Sequence, residues 1–398
     1  MERFLAHIEI VKDVQPCPNA DRLDLIHVLG WQLIAARDEF KAGDMCVYIE
    51  IDSKVDITRP EFAFMSNYDG KVKTRKFRGQ LSQGIALPLE KVGLNAKFYK
   101  IGDDVTAKLG ITKIETQEQK RLNAEGVDPR LARVKQRYSK FLKTRIGKWL
   151  MKHKFTRELI LMLGGKKKVR KDWPAFVQKT DEERIENIPW ELDNKEELIA
   201  TQKLDGTSTT FFIKRKYNRF IDGLIKFCTY NYKPRYEFGV CSRNVRQFDE
   251  KQKCYHDHNI YWDMAFKYNV EAVLNTLAKR FDYPDYIVLQ GESVGSVQGN
   301  PLKLKEDDFY GYNLIIDGEK HNPIQGRDIM KNFGIKWVPI LDEHFVCPDT
   351  MEEMKALADG ESVISPKGTM REGIVYRSYD AQRSFKNVSN KYLLKHGE

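Results

Sequence analysis

The sequence predicts an α+β protein with a small β-barrel in its N-terminal part, a basic helical segment in the middle, and a larger domain of antiparallel sheets and helices after it. Three observations predict this arrangement. The chain has 398 residues, more than one ordinary hydrophobic core needs. Short apolar runs separated by turn residues fill its first part, and a cluster of cationic residues then precedes a segment of ordinary composition. We therefore expect domains at 1–112 and 173–398, joined by an insert at 113–172.

The N-terminal domain is expected to be a β-barrel. Apolar residues alternate over Leu5–Val11 and Leu23–Leu29, which is the period of a half-buried strand. A further apolar run follows at Trp31–Ala35, and turn residues such as Pro16–Asn19 separate the runs. Several short strands at close spacing are typical of small barrels. We predict an OB-type barrel, a fold that binds oligonucleotides.

The middle segment is strongly basic. Residues 129–172 hold sixteen Lys or Arg residues against two acids, whereas the whole chain has a net charge of +10. Apolar residues recur in it at helical spacing, which predicts a basic amphipathic helix. Cations on phosphates release counterions, so nucleic-acid contact is the favoured interpretation. A solvated helix face covering the barrel, or a membrane-surface helix, remains an alternative.

The composition excludes several classes of protein. Hydrophobic residues are 41% of the chain and charged residues 31%, as in soluble globular proteins. No apolar run is long enough for a membrane span, and the N-terminus does not resemble a secretory signal. Six cysteines form no C-x-x-C pair, so neither a disulfide scaffold nor a zinc ribbon is indicated. We expect an intracellular, reducing location and no membrane partner.

The first chemical motif is Lys203-Leu204-Asp205-Gly206. A lysine between apolar neighbours and near a bound cation loses its proton more easily, and a neutral amine is a nucleophile. Attack by this amine on a nucleotide α-phosphate would give a lysyl phosphoramidate. Gly206 permits a tight turn or a close backbone approach to a ligand. Taken alone, the motif is better explained by a surface lysine beside a hairpin turn.

Further motifs follow it in a fixed order, and the series from 203 to 395 resembles the covalent nucleotidyltransferase superfamily of DNA ligases, RNA ligases and messenger-RNA capping enzymes. Order and spacing together are far more specific than any one motif. The matching segments are Lys203–Gly206, Ser242–Asn244, Tyr286–Glu292, Phe309–Leu314, Glu372–Arg377 and Ser384–Lys386.

The resemblance implies roles for individual residues. Lys203 is the expected nucleophile, and Lys386 is expected to hold the α-phosphate. Asp205, Glu292 and Glu372 supply oxygen ligands suited to Mg²⁺ or Mn²⁺, directly or through water. Tyr312 offers a ring face to adenine. The full set expected to bind ATP is Gln202, Lys203, Gly206, Arg243, Glu292, Tyr312, Glu372 and Lys386.

The order of the domains narrows the choice among the families of this superfamily. A barrel-like domain precedes the nucleotidyltransferase motifs, and only a few residues follow Lys395, whereas DNA ligases and capping enzymes carry an OB domain after the last motif. With Gln83–Leu87 and Ser384–Lys386, this order resembles the Deinococcus-type RNA ligases. Two departures stand out: Ser208 holds a position that is asparagine in some RNA ligases, and Lys386 is the one clear lysine of the last motif.

The expected function is therefore ATP-dependent joining of RNA 3′-hydroxyl and 5′-phosphate ends through lysyl-AMP and an adenylylated strand. RNA, including a nicked RNA/DNA duplex, is the expected partner, and the chain is expected to act as a monomer. Two alternatives remain: a GTP-dependent capping guanylyltransferase, and a non-catalytic RNA-binding or tRNA-binding protein. The nucleotide that labels the protein separates the first alternative from a ligase. The presence of Lys203, Glu292 and Glu372 argues against the second.

Overall fold

The computed structural model describes most of both predicted domains and little of the segment between them. The chain divides into two compact units, residues 1–113 with 176–398, and residues 114–175. The basic helix predicted within 129–172 lies almost wholly outside the described residues, and the predicted boundaries at 112 and 172 stay predictions. The described residues are 4–18, 20–114, 173–178, 180–216, 234–243, 245–251, 256 and 258–396, with single positions at 144, 150, 153, 156 and 160.

The N-terminal part forms an antiparallel sheet in which the strands that begin at residues 31, 23, 6, 45 and 85 lie side by side in this order. Its apolar side chains enter two clusters, one around Ile8 and Val47 and the other around Trp31 and Tyr48. The predicted OB-type strands are confirmed. The strands are β1 (Ala6–Pro16), β2 (Leu23–Val28), β3 (Trp31–Ala36), β4 (Met45–Ile49) and β8 (Ile85–Pro88), with the small pairs β5 (Ser53–Lys54) and β9 (Thr112–Lys113), and β6 (Arg75–Phe77) and β7 (Gln80–Ser82).

The C-terminal part contains two sheets, which confirms the predicted α+β class. The first has the order β10-β21-β20-β11-β19 and consists of β10 (Glu183–Arg184), β11 (Leu198–Lys203), β19 (Ile340–Phe345), β20 (Gly373–Ser378) and β21 (Ser384–Val388). The second has the order β14-β13-β12-β15-β16-β17, with β18 beside β16, and consists of β12 (Thr207–Arg215), β13 (Tyr236–Cys241), β14 (Arg246–Gln247), β15 (Tyr286–Val294), β16 (Asp308–Ile316), β17 (Glu319–His321) and β18 (Lys336–Trp337).

Helices cover these sheets. The side chain of Asn322 begins one of them by accepting hydrogen bonds from two backbone amides, and that of Thr350 begins another by accepting from one. None of the described helices is long and apolar enough to cross a membrane. The α-helices are α1 (Thr106–Leu109), α2 (Ile260–Lys267), α3 (Val270–Arg280), α4 (Pro323–Lys331), α5 (Met351–Ala358) and α6 (Asn390–His396), and the 3₁₀ helices are Pro60–Tyr68, Leu89–Val92, Ala96–Phe98, Ile185–Asn187 and Pro189–Leu192.

Strand alternation gives the seven-stranded sheet one face that enters the main hydrophobic cluster and a second face that carries both polar and buried apolar residues. Phe211 and Leu289 enter the main hydrophobic cluster together with Leu274 of α3. Because successive side chains point to opposite faces, Ser208 and Glu292 lie on the other face, where they are directly paired across β12 and β15. The first face thus packs in the hydrophobic core, and the polar residues of the second face remain available for chemistry.

Candidate active site

Lys203 lies where the chain passes from one C-terminal sheet to the other. It is the last residue of β11, where it pairs with Gly373 of β20, and the turn after it leads directly into β12. Gly206 in this turn approaches the neighbouring strand closely. A Cβ atom there would lie 2.4 Å from the Ser293 carbonyl oxygen and 3.0 Å from Cγ of Glu292. The glycine therefore lets the lysine and Glu292, which belong to different sheets, come together.

Three carboxylates surround the Lys203 ammonium group. Its Nζ donates a hydrogen bond to Oε1 of Glu372, the residue just before β20, and the charges of Glu292 and Asp205 also act on it. Asp205 is held from its other side by Tyr392 of α6, whose hydroxyl donates to Oδ2 at 2.5 Å. The five side chains come from four separate segments, so the cluster exists only in the folded chain.

The balance of charge at Lys203 differs from the expectation. Burial lowers the pKa of this lysine, as its apolar neighbours led us to expect, but the carboxylates of Glu372, Glu292 and Asp205 outweigh burial and raise it. The expected loss of a proton presumed a bound cation, and in the chain by itself the carboxylates favour the protonated amine. Three carboxylates around one ammonium place negative charge in excess, which either protonation of a carboxylate or a further cation would offset.

The acids have the properties of a cation site. Burial, together with the neighbouring carboxylates, raises the pKa of Glu292 to about 8, and burial and Glu372 raise the pKa of Asp205. Oε2 of Glu372 is buried and has no hydrogen-bond partner among the described residues. Within this part of the chain, however, no three His, Cys, Asp or Glu side chains stand close enough to hold an ion together. The residues fit a divalent cation held partly through water rather than a closed cage.

A cavity of about 190 Å³ opens beside the cluster. Thr180, Asp181 and Glu182 line one part of it, and Val338 and Val375 contribute apolar surface. Glu372 is the one residue expected to bind ATP that does not line the cavity, and it acts there through Lys203. The other seven are in the lining: Gln202, Lys203, Gly206, Arg243, Glu292, Tyr312 and Lys386.

The Tyr312 ring is held firmly in this cavity. Its hydroxyl shares hydrogen bonds with Ser208 at 3.2 Å and Thr180 at 3.1 Å, and burial raises its pKa. The guanidinium of Arg377 lies 5.7 Å from the ring centroid. Arg377 is itself fixed by Glu182, to which it donates at 3.0 Å. These contacts fix the plane of an aromatic ring against which a base can stack.

Two cations mark another part of the cavity. Nζ of Lys386 lies 3.4 Å from one carboxylate oxygen of Asp181, and Nη2 of Arg243 lies 3.2 Å from the other. Burial and the nearby charge of Lys203 lower the pKa of Lys386, while Asp181 raises it. A lysine and an arginine that share one small anion are suited to hold a phosphate group.

Two family models match the chain. One, described as an OB-fold domain, matches residues 5–89, and one described as RNA ligase matches residues 196–393. Solved structures of Naegleria gruberi RNA ligase are similar over the whole length. Its complex with PPi is 29% identical, with a TM-score of 0.71 over 100% of this chain and 99% of that chain. Two mutants, one with ATP and Mn and one with AMP and Mn, are each 30% identical, with TM-scores of 0.71 over 99% of both chains.

The chain belongs to the RNA ligase family. The expected order, an OB domain before the ligase domain, is confirmed, and RNA is the substrate that membership in this family implies. The family favours a ligase over the capping enzyme considered as an alternative. No curated protein matches the chain by sequence.

Gln202 of the ligase lies in the cavity wall, but its side chain is committed elsewhere. Nε2 donates to Oγ of Ser362 at 2.8 Å, and Oε1 accepts from the Val363 amide at 2.8 Å. The side chain is 1% exposed. Little hydrogen-bonding capacity of this side chain therefore remains for its expected contact with ATP. Its hydrogen bonds instead hold residues 362 and 363 against β11, the strand that ends at Lys203.

Sequence reasoning missed Asp181, Glu182 and Arg377 as residues of the ligase site. Arg377 ends the motif Glu372–Arg377, and Asp181 lies in an acid-rich stretch, so both were visible without being assigned. A signal existed for Arg377, because it directly follows the apolar run 374–376. In the structure its side chain is 3% exposed. A buried arginine needs a buried acid, and Glu182 is that acid.

Proposed function

We propose that this RNA ligase uses ATP, that Lys203 takes AMP from it, and that the enzyme then joins an RNA 3′-hydroxyl to a 5′-phosphate end. The observation that carries the proposal is the Lys203 ammonium among three carboxylates at the wall of a cavity that also presents Lys386 and Arg243. The complexes of the Naegleria enzyme with ATP, AMP and PPi support it, because these are the molecules that an adenylylation reaction uses and releases.

In the first step the Nζ atom of Lys203 attacks the α-phosphorus of ATP. A nitrogen–phosphorus bond forms, the bond from the α-phosphorus to the bridging oxygen breaks, and pyrophosphate leaves with the electron pair. The lysine must first lose a proton, and Glu372 Oε1 already accepts a hydrogen bond from Nζ. Lys386 and Arg243 are placed to bind phosphate oxygens, which would displace the carboxylate of Asp181 from between them.

Asp205, Glu292 and Glu372 are the residues that would hold Mg²⁺ or Mn²⁺, directly or through water. A divalent cation there supplies positive charge that offsets the carboxylates and the α-phosphate. Burial is then the larger influence on Lys203, and burial lowers its pKa. The same acids that keep the amine protonated in the chain by itself thus allow its deprotonation only when substrate and cation are in place.

Two further transfers complete sealing. AMP passes from Lys203 to a 5′-phosphate end, which forms a 5′–5′ pyrophosphate linkage and frees the lysine. The 3′-hydroxyl then attacks the 5′-phosphorus, a phosphodiester forms, and AMP leaves. We propose RNA strands with these ends as substrates, either single-stranded or at a nick in a duplex, including an RNA/DNA duplex. We propose a monomer as the working unit.

The test is covalent labelling. Purified protein with Mn²⁺ and α-labelled ATP should carry the label, Lys203→Ala should not, and Lys305→Ala, an exposed lysine elsewhere, should label as the wild type does. Unlabelled ATP should compete, and unlabelled GTP should not. Label that persists in Lys203→Ala would exclude this lysine as the nucleophile. Labelling by GTP in preference to ATP would favour a capping enzyme.

A further inference from the structure

A second basic cluster lies in the described N-terminal domain, outside the insert at 129–172. Residues 71–78 contain five cations and no acid. They comprise β6 and the residues on either side of it, and β6 pairs with β7 in a short hairpin. Residues 76 and 78 are exposed, so part of this charge faces solvent. The cations are Lys71, Lys73, Arg75, Lys76 and Arg78.

The hairpin and the residues before it line most of a groove, and Leu394 of helix α6 in the ligase domain also lines it. The groove encloses about 330 Å³. A hydrogen bond from Nε2 of Gln83 to Oδ1 of Asn390, at 2.9 Å, joins the strand region after the hairpin to the start of α6. We call this feature the hairpin groove, and its lining is Tyr68, Lys73, Thr74, Arg75, Lys76, Phe77 and Leu394.

The chemistry of the hairpin groove suits a nucleic-acid strand. The guanidinium of Arg75 lies 3.9 Å from the centroid of the Tyr68 ring, and Phe77 meets the same ring edge-on at 6.5 Å. Nε of Arg75 is buried without an acceptor among the described residues, and its Nη2 makes only a long bond of 3.4 Å to the Lys71 carbonyl. A planar cation with unused donors, set on aromatic rings and flanked by lysines, matches phosphates and unstacked bases.

The groove lies close to the site of chemistry. Tyr392 and Leu394 are two residues apart on α6, so they project from roughly opposite sides of the helix. Tyr392 reaches Asp205 beside the nucleophile, and Leu394 lines the groove. The two places are thus separated by about one helix diameter, ~10 Å. A strand with a rise of ~3.4 Å per nucleotide covers that distance in about three nucleotides.

We propose that the hairpin groove binds the RNA strand on one side of the junction being sealed, through its phosphates and through stacking of a base in the Arg75–Tyr68 region. This inference rests on the proposed function, since it assigns a path to the same substrate. The positive charge of the hairpin and its aromatic rings specify a polyanion with planar bases. From the distance across α6, we expect the contacts between the strand and the groove to begin about three nucleotides from the junction.

The test uses the whole enzyme and a triple substitution, Lys73→Gln, Arg75→Gln and Lys76→Gln. We expect RNA binding and single-turnover sealing to fall at least about tenfold, while covalent labelling by ATP is unchanged. The slope of log affinity against log salt should become shallower by about 2, at ~0.7 for each of three lost phosphate contacts. The conservative variant Arg75→Lys keeps the charge and loses the planar stack, so it should show a smaller defect with little change in slope.

A matched control removes three exposed lysines of the same domain that do not line the groove, by Lys41→Gln, Lys97→Gln and Lys100→Gln. An equal loss in this control, or wild-type binding by the groove variant, would overturn the proposal. Substrate length gives a second readout. The difference between wild type and groove variant should vanish when both strands at the junction are shorter than about three nucleotides. If the wild type itself neither labels nor seals, the proposed function fails, which is distinct from failure of the groove.

Discussion

The hydrogen bond from Tyr392 to Asp205 allows a test of the acid cluster that leaves every acid in place. Tyr392 is 1% exposed, and its hydroxyl donates to Oδ2 of Asp205 at 2.5 Å. Tyr392→Phe removes one oxygen atom and keeps the ring that packs in the core, so the fold should survive. This hydrogen bond lowers the pKa of Asp205, against burial and Glu372, which raise it. Without the bond, the pKa of Asp205 rises further, so a proton competes better with a cation for its carboxylate.

The magnitude follows from the type of bond. A short hydroxyl-to-carboxylate bond belongs to the charge-assisted class, which contributes about 1.5–3 kcal/mol. We assume that the complex with cation and ATP loses this whole stabilisation. Since each ~1.4 kcal/mol changes a rate tenfold, the rate of reaction falls by about 10- to 150-fold. We expect the formation of enzyme–AMP by Tyr392→Phe to slow by this factor at limiting Mn²⁺. The defect should shrink as Mn²⁺ is raised, because mass action restores binding.

The assay is the initial rate of covalent labelling by ATP across a series of Mn²⁺ concentrations at neutral pH. Tyr236→Phe is the matched control, since its hydroxyl donates to the Pro284 carbonyl at 2.6 Å, away from the cluster. Thermal unfolding of both variants checks that they are folded. Equal rates for Tyr392→Phe and wild type at every Mn²⁺ concentration would refute the reasoning. So would an equal defect in Tyr236→Phe.

Two further predictions concern pH. Asp181→Asn removes a charge that raises the pKa of Lys386, so the alkaline limit of the labelling rate should move to lower pH. An unchanged pH–rate profile would show that Asp181 does not act on Lys386. His7 is buried, but hydrogen bonds to Glu50 and Glu9 outweigh burial and raise its pKa from 6.5 to about 9. Its contribution to folding stability is therefore full below about pH 6.5 and is lost as pH rises through about 9, by at most ~3 kcal/mol. Urea unfolding of wild type and His7→Gln should converge with rising pH, and parallel curves would contradict this.

Much of the fold was predictable because its signals are local. The strand pattern around Leu23 and Trp31 needed only alternation and turn residues, and the structure has strands there. The ordered motifs likewise located Lys203, Glu292 and Glu372 before any coordinate was known. In such motifs the residue type already limits the chemistry: an amine for attack, and carboxylates for a cation.

Other features depended on partners far away in the chain. Gln202 was expected to contact ATP, but the amide of its side chain is held by residues 362 and 363. Glu182 gained its importance only from Arg377, which lies 195 residues later. No local pattern reveals such pairs, because strand register and the close approach of two sheets create them.

The sequence by itself determined the class of protein, the order of its domains and the identity of the expected nucleophile, since these depend on residue types and their order. Only the tertiary structure decided the charge state of Lys203. Burial and three carboxylates act on that amine in opposite directions, and the carboxylates prevail because folding brings them from three segments of the chain to one point. A pKa is set by distance and by solvent exclusion, and neither quantity is written in the order of the residues.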